Sequence, residues 1–186
     1  MNNKIFGIGL NKTGTTSLGH YFYKLGYKHY CRPSIINITN ARKNINQIYT
    51  IADNNEMFED WPWPLIYKEL YFKYPESKFI LTMRQDDDEW FYSLVGQSKK
   101  HPRTPQRLEV YGHYNPDESN KIDHINFYNN HNKNVINFFK ENNLNRLLIL
   151  KTNDPNKESK IYNFIGKFFD KDNYIKYPHK NKKKIN

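Results

Sequence analysis

Residues 5–17, Ile-Phe-Gly-Ile-Gly-Leu-Asn-Lys-Thr-Gly-Thr-Thr-Ser, constrain the fold more than any other stretch of the chain. A short apolar strand runs into a tight loop rich in Gly and Thr, and the loop opens a helix. Leu18, Tyr21, Phe22 and Leu25 mark that helix at i, i+3, i+4 and i+7, with Gly26 placed as its C-terminal cap. In this order, strand, loop and helix aim backbone N–H groups, at the positive end of a helix dipole, toward an anion such as a phosphate.

The position of the lysine narrows the choice of anion. A nucleoside-triphosphatase loop, G-x-x-x-x-G-K-S/T, carries its lysine directly after the second glycine. Gly9 and Gly14 keep that separation, but Thr15 stands where the lysine belongs and the loop's cation is Lys12. The run Lys12-Thr13-Gly14-Thr15-Thr16-Ser17 resembles the 5′-phosphosulfate loop of sulfotransferases that use 3′-phosphoadenosine 5′-phosphosulfate (PAPS) as sulfuryl donor. The resemblance implies that all six residues bind the donor and that Lys12 is also catalytic.

Beyond the loop, strands alternate with helices. Apolar runs predict strands at 4–10, 27–31, 78–83 and 146–150, and helices at 15–25, 64–74, 87–95, 122–142 and 153–165. Short helices are expected around 38–51, inside a polar, weakly periodic stretch from 34 to 58. Ile125, Tyr128, Val135, Phe138 and Phe139 share the inner side of the 122–142 helix; Asn153 or Asp154 caps the last one, with Pro155 at its first position. The pattern predicts an α/β fold: a central parallel sheet in a three-layer, P-loop-like α/β/α architecture, with ligands beyond the carboxyl ends of the strands. A length of 186 residues suits one domain, 1–186. Within it, 97–121 has three prolines and no periodicity and reads as a mobile loop or lid, and 180–186 as a basic tail.

The strand at 78–83 delivers Arg84 to its carboxyl edge, and Ser93 follows on the next helix. PAPS carries a 3′-phosphate as well as its phosphosulfate, so its site needs a second anion clamp, which a guanidinium fork and a hydroxyl can supply. Arg84 with Ser93 is similar to the sulfotransferase 3′-phosphate pair, at a spacing one residue longer than the family's usual one. A salt bridge from Arg84 to Asp87 or Asp88 is the plainer reading. The acids 86–89 read as a helix N-terminal cluster that complements the dipole. Two further segments resemble one branch of the sulfotransferase superfamily. One is Glu59-Asp60-Trp61-Pro62-Trp63-Pro64 ahead of the Tyr74-Pro75 turn and the arginine strand; the other is Tyr177-Pro178-His179-Lys180-Asn181 near the end.

The resemblance implies sulfuryl transfer from PAPS to a hydroxyl or amine by in-line displacement, with Lys12 neutralising charge on the leaving group. No metal is required, and no ligand cluster suggests one. Asp60 is the first candidate for the general base, with Glu56, Glu59, His101 and His113 as competitors. Trp61 and Trp63 are read as an acceptor wall or as core, His20 as structural, His179 as a closing element, and Cys31 as a structural thiol.

Composition sets outer bounds. A formal charge of +10 and a pI of about 9.4 favour anionic partners without selecting among them. The acceptor is expected to be a small molecule or glycan, with an anionic one favoured faintly by the basic surface. Scattered lysines and the absence of a reading helix or aromatic platform argue against nucleic acid. No run approaches the roughly eighteen apolar residues of a membrane span, and no signal-peptide pattern precedes the first strand, so a cytoplasmic protein is expected. A kinase with an atypical loop is the main rival, opposed by the displaced lysine and by Arg84 at the place of a magnesium-holding acid. A non-catalytic nucleotide- or nucleic-acid-binding protein is the other.

Overall fold

The computed structural model describes residues 4–31 and 40–178. Its sheet has five strands, β1 (Ile5–Gly7), β2 (His29–Tyr30), β3 (Met57–Phe58), β4 (Lys78–Met83) and β5 (Leu147–Lys151). They lie in the order β2-β3-β1-β4-β5, and every pairing is parallel. The helices are α1 (Thr15–Lys24), α2 (Ile45–Asp53), α3 (Tyr67–Lys73), α4 (Asp87–Lys100), α5 (Pro105–Tyr111), α6 (Lys121–Asn142) and α7 (Lys157–Phe164). The expected three-layer α/β architecture is present.

Alternation along the strands divides the core between the two faces. Phe6, Ile8, Phe79 and Leu81 pack with Ile48, Leu70, Val135 and Phe139 against α2, α3 and α6. Ile5 and Ile80 pack with Leu18, Phe22 and Ile161 against α1 and α7. A third cluster, including Leu10, Trp61, Trp90, Leu94, Tyr111 and Tyr128, sits at the carboxyl end of the sheet and binds α4, α5 and α6 together there. Each such large side chain contributes about 1.5–3 kcal/mol by leaving water, so this end of the sheet has an apolar brace of its own.

Several expectations change. A strand missing from the sequence reading, β3, lies between β1 and β2; two residues carry no readable period, yet Met57 and Phe58 are fully buried. β1 is shorter than expected and ends at Gly7, although the Ile8 N–H still donates to the Ile80 carbonyl at 2.9 Å before the loop turns away. The predicted helix from residue 64 is a 3-10 turn, Trp63–Leu65, followed by α3. The stretch 97–121, expected as a loop or lid, instead holds the end of α4, all of α5 and a 3-10 turn at Glu118–Asn120. The last helix starts later than expected: Asp154 accepts from the Asn156 N–H in the preceding turn, and α7 begins at Lys157. Gly26, at φ 89°, ends α1 as predicted. His20 and Cys31 are exposed. Tyr177 packs on Tyr21 with ring centroids 5.0 Å apart, which places the segment around it against α1; His179 and the tail 180–186 lie outside the described residues.

Candidate active site

The anion loop is built by close approach to β4. A Cβ on Gly9 would fall 2.1 Å from Thr82 Oγ1 and 2.4 Å from the Thr82 carbonyl, so no side chain fits there. Thr13 is 1% exposed; its hydroxyl donates to the Leu10 carbonyl at 2.6 Å and meets Thr82 Oγ1 at 2.7 Å. Lys12 at φ 70° and Gly14 at φ 90° then turn the chain into α1. Gly14 is the N-cap of α1: no side chain caps the first turn, and no acid lies in it. Thr15 and Ser17 are buried and Thr16 is exposed. The Thr13 hydroxyl faces inward, held by the Leu10 carbonyl and Thr82, and shapes the loop.

Arg84 joins the loop to Ser93 on α4. Its Nε donates to the Lys12 carbonyl at 2.6 Å, its Nη2 to Ser93 Oγ at 3.2 Å, and its Nη1 to Glu89 Oε1 at 2.6 Å. The pairing of Arg84 with Ser93 thus exists despite the longer spacing. The salt bridge goes to Glu89, not to Asp87 or Asp88. Asp88 pairs with Lys121 at 2.8 Å, and Asp87 accepts from Asn129 at 2.9 Å. Arg84 is also fixed by its backbone, whose N–H donates to Tyr128 Oη at 3.0 Å.

Beside the loop is a cavity of about 250 Å³ whose lining includes Asn11, Asp60, Trp61, Gln97, Arg107 and Tyr111. Asp60 follows β3 and sits at φ 69°, accepting from the Trp61 N–H at 2.9 Å. Among the described residues three non-glycines have a positive φ, and two of them are Lys12 and Asp60. A left-handed backbone at such residues costs about 1–3 kcal/mol each and gathers where function demands it.

The competing bases separate clearly. Glu56 accepts from the Lys28 N–H at 2.8 Å and precedes β3, at the amino end of the sheet. Glu59 is buried beneath α1, 3.6 Å from His29. His113 lies 3.4 Å from Asp123. Of the five candidates, Asp60 and His101 line the cavity. The two tryptophans divide: Trp61 faces the cavity, whereas Trp63 is fully buried against Phe6 and Phe58.

Five residues around the site were not signalled as such by the sequence. Asn11 accepts from Trp90 Nε1 on its carbonyl at 2.9 Å and from the Tyr111 hydroxyl on Oδ1, so α4 and α5 grip the loop beside Lys12. Trp90 in turn stacks on Tyr128 at 4.5 Å. Burial pushes the Tyr111 hydroxyl well above its usual pKa, reinforced by the charge of Asp60 and opposed by Arg107. Tyr111 consequently remains a protonated donor to Asn11. Burial also raises Tyr128. Beneath the loop, burial lowers His131 to about 4, and its neutral ring meets the Ile8 carbonyl at 2.8 Å. Only the aromatic or apolar character of Trp90, Tyr111 and Tyr128 was visible; their roles depend on partners distant in sequence.

The fold and this edge define a parallel α/β protein with a Gly- and Thr-rich loop leading into an uncapped helix start and an arginine at the end of the adjoining strand. The family model described as a sulfotransferase domain matches residues 4–110, more than half of the chain, and the chain belongs to that family. The match spans the loop, Asp60, Arg84, Ser93 and most of α5. A search of curated proteins found no match. Among the described residues no group of three His, Cys, Asp or Glu side chains is placed to hold a metal, and no helix is long and apolar enough to cross a membrane.

Proposed function

We propose that this sulfotransferase domain takes its sulfuryl group from PAPS and passes it to a hydroxyl or amine bound in the cavity beside Asp60. The observation that carries the reading is Arg84: one guanidinium reaches both the Lys12 carbonyl and Ser93 Oγ. It thereby couples a 5′-side loop to a 3′-phosphate clamp. The residues fit such a donor. The uncapped first turn of α1 with Thr15, Thr16 and Ser17 would hold the 5′-phosphate, Lys12 would supply positive charge on the leaving side, and Arg84 with Ser93 would hold the 3′-phosphate.

PAPS supplies the group transferred; the chain's residues supply position and charge. Lys12 neutralises the negative charge that grows on the leaving side, and Asp60 accepts the proton of the attacking hydroxyl. Trp61 and Tyr111 hold the acceptor and keep water away. A cavity of about 250 Å³ suits a small polar acceptor, or one end of a larger one such as a glycan. Arg107 in its wall is committed to the His101 and Tyr114 carbonyls. With Asp60 as the wall's carboxylate, a neutral acceptor fits better than an anionic one.

Thermal unfolding tests the donor. Adenosine 3′,5′-bisphosphate at a hundred times its Kd adds about 2.7 kcal/mol, or roughly 5–11 °C for a domain of this size. The expected shift disappears in Arg84→Ala and shrinks in Lys12→Ala. Stabilisation by ATP–magnesium alone would overturn the reading in favour of a kinase.

A further inference from the structure

Arg84 is not an open clamp. Its Nη1 donates to Glu89 Oε1 at 2.6 Å, and the other carboxylate oxygen of Glu89 accepts from the Gln85 N–H at 3.2 Å. Glu89 is itself held from behind, its own N–H donating to Asp86 Oδ1 at 2.6 Å. One carboxylate therefore spans the side chain of Arg84 and the backbone of Gln85, where an incoming anion would find its donors. The pair faces solvent, the Arg84 and Glu89 side chains being 24% and 41% exposed. A phosphate can reach it, and exposed pairs exchange partners at small cost.

We infer that Glu89 is a built-in competitor for the Arg84 clamp and sets how strongly the site favours a nucleotide with a second phosphate; this rests on the PAPS reading above. A carboxylate and a phosphate against the same guanidinium edge repel at short range. Binding a 3′-phosphate therefore requires Glu89 to swing away from Arg84 and Gln85, and that displacement is subtracted from the affinity. A ligand with only a 5′-phosphate leaves Glu89 in place and bears no such cost. Glu89 is thus a specificity residue: it lowers the advantage of the bisphosphate and speeds its release after transfer.

The test is calorimetric titration of wild type, Glu89→Gln and Asp88→Asn with adenosine 3′,5′-bisphosphate and adenosine 5′-monophosphate. Glu89→Gln keeps the length and an acceptor oxygen but removes the charge. It is expected to tighten the bisphosphate about two- to five-fold, the scale of an exposed ion pair, and to leave the monophosphate nearly unchanged. Asp88→Asn removes a charge from the same helix turn without touching Arg84, and is expected to shift both nucleotides alike. An unchanged or reduced bisphosphate preference in Glu89→Gln would overturn the inference, as would an equal gain in Asp88→Asn. Wild type that binds neither nucleotide would instead remove the donor reading itself.

Discussion

Two helices start at the carboxyl edge of neighbouring strands, and they satisfy their first-turn amides in opposite ways. After β1, α1 begins at Gly14 with no side-chain cap and no acid in its first turn. After β4, α4 begins at Asp86, whose carboxylate accepts from the Glu89 N–H, and its first turn holds Asp87, Asp88 and Glu89. The dipole physics is the same at both ends, since an anion near a helix N-terminus is favoured by about 0.3–1 kcal/mol. One start is left uncapped, where the proposed donor would bind; the other is filled from its own sequence. Arg84 stands between them and donates to both sides. The comparison teaches that an anion site is defined as much by the acids left out as by the bases present.

Breaking the α1 side should give the largest effect. Lys12→Ala is expected to slow sulfuryl transfer by about 10²–10³ while far-UV circular dichroism stays native. An activity within a few-fold of wild type would remove Lys12 from the chemistry. Gly9→Ala attacks the same loop through packing. The new methyl must displace Thr82 or the loop, at a cost of about 1–3 kcal/mol in denaturant unfolding, and donor affinity should fall with it.

A smaller effect comes from the floor of the loop. His131 titrates near 4 in the folded chain against 6.5 ordinarily, so folding favours its neutral form. The associated stability is fully present above pH 6.5 and is lost as the pH falls toward 4. Between pH 6.5 and 5 wild type should lose about 1–2 kcal/mol more than His131→Gln does. Parallel stability curves for the two would contradict this. Smallest of all, Asp86→Ala removes the cap of α4 and should cost about 1 kcal/mol, read as a lower Tm. Gly14 offers no such truncation at α1, which sharpens the contrast.

Much of this edge was legible in the sequence because its pieces are local. The loop at 10–17, the continuous apolar run of β4 and Arg84 at its end each declare themselves within a few residues. What was missed depends on distant partners. The inward turn of the Thr13 hydroxyl is fixed by Thr82, 69 positions away, and the grip on Asn11 by Tyr111, 100 positions away. The α5 helix escaped for a different reason. One of its buried positions is Arg107, 4% exposed, a charged residue where an amphipathic pattern needs an apolar one. Its guanidinium is satisfied by backbone carbonyls of His101 and Tyr114, which no period reveals.

The Asn11 side chain also bears on how the enzyme could be redesigned. Tyr111 lines the cavity beside Asp60, the proposed acceptor site, and holds Asn11, the residue immediately before Lys12. A library meant to change the acceptor can therefore vary Thr104 and Gln106, which line the cavity, and should spare Gln97, whose Oε1 accepts from Asn11 Nδ2 at 3.5 Å. Tyr111→Phe keeps the ring but releases the loop, so its penalty should appear in the donor's KM although the mutated side chain faces the acceptor. Selection for new acceptors alone would then carry a hidden cost at the nucleotide, and the donor concentration used in the screen would decide which variants survive.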